Sequence, residues 1–261
     1  MTTAVSTFSD QLRGWRQARR ISQLDLAERA ATTQRHLSFM EQGRSRPGRG
    51  IVLRLADALD LTLRERNSML LAAGHAPEHP ESALDGELLR PVREALDSIL
   101  TGHLPYPAVV ARPYGELVAA NAAFDLLTEG VPAELLRPPV NVLRLALHPD
   151  GLARRVVNLG DWGRHIVVNL RTRAAQRQDG RLDALADELT AYLPPAGPAA
   201  AQLGFAVPLR LRSPEGELRL LTTLTTFATA TDVTVAELHL EAFLPADAAT
   251  AELLRARAAR T

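Results

Sequence analysis

Residues 22 to 47, SQLDLAERAATTQRHLSFMEQGRSRP, constrain the fold of this chain more than any other stretch. They read as two short helices joined by a tight turn and followed by an arginine-bearing loop. Ser22 is a suitable N-cap, with Gln23 at the first helical position and Asp25 at N3 in a capping-box-like arrangement. Leu24, Ala27 and Ala30 give the first helix a small apolar face. Thr33 caps a second helix whose apolar positions are Leu37 and Met40, which turns Gln34, Arg35, Ser38 and Phe39 elsewhere. A short helix that starts with polar side chains capable of bidentate hydrogen bonds suits a major groove, where Gln matches adenine and Arg matches guanine. The segment therefore points to double-stranded DNA as a partner.

The order Arg13, Arg16, Ser22, Gln23, Leu26, Ala27, Thr33, Leu37, Ser38, Glu41, Gly43, Arg44 and Pro47 resembles the helix-turn-helix of phage-repressor and Xre-type regulators, over roughly residues 8 to 73. The resemblance implies that Gln23 opens the second helix and binds a phosphate. It implies that Gln34, Arg35 and Ser38, behind the cap Thr33, read base edges, while Arg44 and Arg46 anchor the backbone after the recognition helix. Glu41 matches a family position that pairs with an arginine of the first helix, here Arg16, in a structural role. One departure stands out. The turn between the two helices usually holds glycine, and this chain has Ala31, where a left-handed conformation costs about 1 kcal/mol.

At 261 residues, 46% of them hydrophobic and 23% charged, the chain is expected to form two domains with substantial cores. It contains no cysteine, which excludes disulfides, thiolate metal sites and thiol redox sensing. No apolar run approaches a membrane span, and MTTAVSTFSD lacks a charged-then-apolar signal, so a soluble, cytoplasmic protein is expected. All thirty basic residues are arginine, as expected from GC-rich coding, so only their distribution is informative. Nine arginines face three acids between Arg13 and Arg49, whereas residues 81 to 261 carry eighteen arginines against twenty-two acids. That asymmetry confines a nucleic-acid footprint to the first part.

Around the motif, Phe8, Leu12, Trp15 and Ala18 form a helical stripe, and Ile51 to Leu59 predicts a fourth helix. Thr62 to Glu65 is a capping box for a fifth helix running to Ala73, with Gly74 as a left-handed cap. Residues 1–80 thus predict an all-α, five-helix, repressor-like helix-turn-helix domain. His75 and His79 lie among prolines and read as loop residues, not metal ligands. Residues 81–104 predict a linker helix, starting near Arg90, whose role as connector, second-core element or dimer element stays open.

Residues 105–261 predict an α+β domain. Strands at 107–112 and 115–120 turn at Arg112–Gly115, and Asn121 caps a short helix carrying Phe124 and Leu127. Asp150 caps helical residues 151 to 158, Asp161 opens a longer helix through about Ala175, and Leu182, Leu185, Leu189 and Leu193 mark another. After the linker PPAGPAA, strands at Val207–Arg212, Glu217–Phe227 and Val233–Leu244 complete the set. Two strands, then helices, then three strands suit a PAS-like fold around a small cavity. NVLRLALHPDGLARRVVNLGDWGRHIVVNL, with HLSFMEQGRSRP and LRERNSMLLAAGHAP, resembles MmyB-like transcription regulators. That resemblance implies a PAS-like effector domain and a small apolar, fatty-acid-like ligand.

Trp162, His165, Ile166, Asn169 and Leu170 fall on one helical face. Two polar groups in an apolar stripe need partners, because an unpaired buried one costs on the order of 1–3 kcal/mol. A ligand head group is one solution; the other is that both bond to nearby backbone or lie at the edge of the stripe. Arg144 and His148 suit a ligand carboxylate or a loop tie equally, and Phe124 is a further candidate contact. The Thr-rich strand reads as sheet, not as a site.

No catalytic constellation is present: no GxSxG, P-loop, GxGxxG, HExxH or cysteine nucleophile. His148 and Asp150 are close in sequence but have no nucleophile near them. The expectation is a non-enzymatic regulator with no catalytic residues, cofactor or metal, acting as a homodimer on a two-fold operator away from membranes. Two alternatives remain open. The C-terminal domain serves only dimerisation or protein contact, or the helix-turn-helix is an antitoxin-like module without DNA affinity.

Overall fold

The computed structural model describes residues 7–177, 179–195 and 206–260, and the chain divides into two compact units. One comprises the chain up to Ser82 together with Arg173–Gly180 and Thr229–Ala236. The other holds Ala83–Thr172, Arg181–Ala228 and the chain from Glu237.

The first unit contains α1 (Phe8–Ala18), α2 (Gln23–Arg29), α3 (Gln34–Glu41), α4 (Arg49–Ala58) and α5 (Leu63–Ala72). The Ser22 hydroxyl accepts from the Asp25 amide at 3.1 Å, and Thr33 accepts from the His36 amide at 3.1 Å. Thr62 and Glu65 cap one another's backbone reciprocally. Phe8, Leu12 and Trp15 of α1 join Leu26, Leu37, Met40, Leu55 and Leu70 in a single core. One expectation is corrected here. Leu24 is exposed and Leu26 packs instead, because α2 turns positions 26, 27 and 30 inward. The helix ends in a Schellman motif, with the Thr32 amide donating to the Ala27 carbonyl at 2.9 Å and the Ala31 amide to Glu28 at 3.1 Å. Ala31 is held left-handed at φ 48°, and Arg20 and Asp60 do the same after α1 and α4 at φ 55° and 47°.

The rest of the chain runs α6 (Arg90–Gly102), β1 (Ala108–Ala111), β2 (Leu117–Ala120), α7 (Asp125–Thr128), α8 (Val142–Leu147), α9 (Leu159–Arg177) and α10 (Gly180–Ala191). It ends with β3 (Leu209–Ser213), β4 (Gly216–Thr226), α11 (Val233–Glu237), β5 (His239–Pro245) and α12 (Ala248–Ala258). Among the described residues the strands form one antiparallel sheet in the order β2-β1-β5-β4-β3, the expected PAS-like layout. Leu96 and Leu100 of α6 cover one face of that sheet, against Ala108, Val110, Leu240 and Ala242.

Three expectations need correction, and one element is new. Residues 151 to 158 form only a 3₁₀ turn at Leu152–Arg155, because Val156 bridges to Leu211 and the Val157 amide donates to Arg210 O at 2.8 Å. The β-branched run at Val233 is helical, not strand, because the Asp232 carboxylate accepts from the Thr234 and Val235 amides at 2.8 and 3.4 Å. Asn121 caps no helix with its side chain. It is buried, donates to Leu100 O and Tyr106 O, and accepts from the Ala108 amide, stitching the end of α6 to β1. Finally, α12 was not anticipated, although Asp247 caps it by accepting from the Thr250 amide at 2.7 Å.

Candidate nucleic-acid interface and ligand-binding residues

The orientation of α3 is fixed from behind. Leu37 and Met40 enter the core, and Glu41, at the end of α3 and only 2% exposed, is bonded by arginines of α1. Arg16 donates to both its oxygens at 2.6 and 2.9 Å, as expected, and also to Ile21 O at 3.0 Å. Arg13 donates to the Glu41 carbonyl, and the Gln23 amide donates to the Glu41 carboxylate at 2.7 Å. Burial opposes the Glu41 charge, but the hydrogen bonds from Arg16 and Gln23 and the charges of Arg16 and Arg13 outweigh it. The carboxyl is held below its ordinary value. The same contact raises the Arg16 guanidinium.

With those groups locked, Gln34 and Arg35 of α3 are exposed and Ser38 is half-buried. The Arg35 guanidinium lies 5.4 Å from the centre of the Phe39 ring, and Ser38 accepts from Gln42 at 2.9 Å. The Arg35–Phe39 and Ser38–Gln42 contacts are not among the sequence expectations. The spacing of four between each pair was the signal available in the sequence. Thr33 Oγ1 accepts from the His36 amide as the helix cap. Arg44 and Arg46 are exposed on the following loop. That loop is tied down where it ends: Pro47 O meets His75 Nε2 at 3.0 Å, and Arg49 donates to Ala76 O at 2.6 Å. Gln23, at the start of α2, is half-buried and engaged with Glu41 at the end of α3.

The ligand-contact candidates of the second unit are distributed differently. On α9 Trp162, Gly163, Val167 and Leu170 are buried and Ile166 is half-buried. His165 and Asn169 are exposed and bond to each other at 3.1 Å. The inward face is thus rotated from the one expected, and the two polar groups do not lie inside it. The cause is Gly163, where a Cβ would come within 2.4 Å of Leu193 Cδ2 and 3.2 Å of Leu147 Cδ2. Close packing at that glycine pins the rotation of the helix.

Arg144 and His148 meet in one polar cluster. Arg144 donates to both Glu188 oxygens at 2.7 and 2.8 Å, Tyr192 donates to Glu188 at 3.0 Å, and the His148 ring stands edge-on to Tyr192. His148 Nδ1 accepts from the Asp150 amide at 3.0 Å. The Arg144 hydrogen bonds hold Glu188 below its ordinary value against the effect of burial. Burial and the bond to Glu188 push the Tyr192 phenol up. Arg144 also lines a polar cleft of about 280 Å³ with Tyr114, Asn141 and Leu185. A more apolar groove of about 320 Å³ lies between the α7 and α12 regions, lined by Pro105, Ala122, Ala123, Leu126, Leu254 and Arg257. Phe124 is half-buried next to it in sequence.

A repressor-type helical head with a polar recognition face, followed by a PAS-like sheet, defines a DNA-binding transcription regulator with a ligand-binding domain. Residues 92–256 match the ligand-binding domain of MmyB-like transcription regulators, and residues 7–69 match a helix-turn-helix domain. The chain belongs to the MmyB-like transcription regulators. An HTH-type transcriptional regulator of Sinorhizobium fredii, y4dL, is 42% identical over 63 residues, which cover 24% of this chain and 32% of that protein. The chain therefore aligns with about a third of that relative. Among the described residues no helix is long and apolar enough to cross a membrane.

Proposed function

We propose that the protein is a cytoplasmic, homodimeric regulator that reads an operator through α3 and responds to a small apolar, fatty-acid-like effector. The observation that carries the DNA-reading part is that α3 is anchored by buried Leu37, Met40 and Glu41 while Gln34 and Arg35 stay exposed and Ser38 half-buried. Gln34 suits an adenine edge and Arg35 a guanine edge. The Phe39 ring preorganises Arg35, a contact that adds about 0.5–1 kcal/mol at an exposed site. Gln23, Thr33, Arg44 and Arg46 serve the phosphates, Gln23 by extending the Glu41 network to the DNA backbone. A single helix-turn-helix offers few base contacts, so two copies on a two-fold-related site are required.

On the effector side, Trp162, Ile166 and Phe124 supply apolar contact, and Arg144 with His148 forms the polar end. A carboxylate arriving there competes with Glu188 for the Arg144 fork. His165 and Asn169 already satisfy each other on an exposed face and contribute least. The ligand regulates to the extent that its affinity differs between DNA-competent and incompetent arrangements.

Two measurements test this reading. The purified protein should shift a fragment from upstream of its own gene with a steep salt dependence. Organic extraction of the same preparation should release an acyl chain detectable by mass spectrometry. A fragment left unshifted at low salt contradicts the first part, and a domain that yields no apolar molecule and takes up none contradicts the second.

A further inference from the structure

The connection between β4 and β5 is far longer than pairing requires. The two strands are neighbours and end in register at Thr226 and His239. A hairpin there needs about two to five residues, yet the chain spends residues 227–238 on it. Phe227 and Leu238, at the two ends, pack into the core under α6. The stretch between them, Thr229–Ala236, belongs to the first unit, although it falls inside the match to the ligand-binding domain.

Within the first unit this strap pairs with residues 79–82 through reciprocal hydrogen bonds. The Val233 amide donates to Pro80 O at 2.8 Å, and the Thr234 hydroxyl donates to Ser82 O at 2.7 Å. In return the Ser82 amide donates to Asp232 Oδ2 at 3.1 Å, and His79 Nδ1 donates to Thr231 O at 3.1 Å. Asp232, Val233, Thr234 and Val235 are all buried. Asp232 serves twice, because its other oxygen caps α11. On the far side the same linker is gripped by α5. Asn67 donates to His79 O at 2.7 Å and accepts from the Glu78 and His79 amides at 2.9 and 3.1 Å.

We propose that residues 229–236 are a coupling strap, through which strain in β4 and β5 reaches the linker at His79–Ser82 and, by way of Asn67, helix α5 of the DNA-binding unit. The strap is short, buried at Asp232–Val235 and continuous with two sheet strands, so a shift of those strands loads its bonds to the linker. This inference extends the regulatory reading to its route, and its test needs neither DNA nor effector.

The test is amide hydrogen exchange on the full chain. Thr234→Val keeps the side-chain shape and removes the hydroxyl donor, so the Ser82 and Val233 amides should exchange about tenfold faster, with β1 amides unchanged. Leu240→Ala, a cavity beneath α6 on β5, should accelerate the Glu78 and His79 amides in the otherwise native chain. In the Thr234→Val background the same cavity should leave those linker amides where they were. Val110→Ala on β1 provides a milder sheet perturbation should Leu240→Ala fold poorly. Linker amides indifferent to both cavities, or responding equally with and without the Thr234 hydroxyl, overturn the proposal. So does an acceleration spread evenly over α1 to α5, which would report global loss.

Discussion

Helices α3 and α9 carry the two kinds of candidate contact, and they differ in what fixes their rotation. Large and charged groups lock α3: Leu37 and Met40 in the core, and Glu41 under Arg16 and Gln23. A missing side chain locks α9, where Gly163 admits Leu193 and Leu147. Inward-facing leucines announce themselves in a sequence, whereas an inward-facing glycine reads as neutral. A polar residue is therefore placed reliably where bulky neighbours set the helix face, and unreliably where a close approach of backbone sets it.

The largest effect expected from this contrast is at Glu41. Replacing it with alanine leaves Arg16 and Gln23 without their carboxylate acceptor, while Arg13 keeps the backbone carbonyl; removal of one partner from a buried pair costs about 3–5 kcal/mol, to be read from urea unfolding. The folded-state pKa of Glu41 lies below its ordinary 4.5. Its contribution is therefore fully present above that value and is lost as pH falls through it toward the folded-state pKa. Glu41→Gln should flatten that acid limb. A Glu41→Gln chain with an unchanged acid limb would remove the buried pair from the account.

The counterpart on α9 is Gly163→Ala. A methyl group driven against Leu193 and Leu147 should destabilise the chain by about 1–3 kcal/mol, where the usual helix preference predicts a gain. Stabilisation in calorimetry would mean that Gly163 does not set the helix face. Next in size is Ala31→Gly, which should stabilise the chain by about 1 kcal/mol because Ala31 sits left-handed. An unchanged midpoint would show that the turn has relaxed. Smallest is Asn169→Ala, an exposed change expected to stay within about 0.5 kcal/mol. A loss of several kcal/mol would place Asn169 inside a packed face after all.

What was legible in the sequence follows the same division. The N-terminal helices were readable because Ser22, Thr33 and Thr62 mark their starts and because leucines repeat at helical spacing. Two strands, a helical middle and further strands were readable along the chain, whereas their order in the sheet comes from the fold. Leu24 was misplaced because α2 is short, so one residue of rotation decides which leucine packs. The helical turn at Val233 was hidden because the deciding group, the Asp232 carboxylate, outweighs the β preference of Val-Thr-Val. Asn121 looked like a cap because its three partners, Leu100, Tyr106 and Ala108, come together only in the folded chain. The partnership of Arg144 and His148 through Glu188 and Tyr192 was invisible for the same reason, since α8 and α10 are distant in sequence.

The central claim is that α3 reads bases while the positions around it hold phosphates, and binding-site selection with paired variants tests it most directly. The native protein should return one two-fold operator. Arg35→Ala should return the same operator with the preference lost at a single base pair per half-site, whereas Gln23→Ala should keep every preference and bind all sequences more weakly. An operator unchanged by Arg35→Ala, or equal losses across all positions in both variants, would contradict the account.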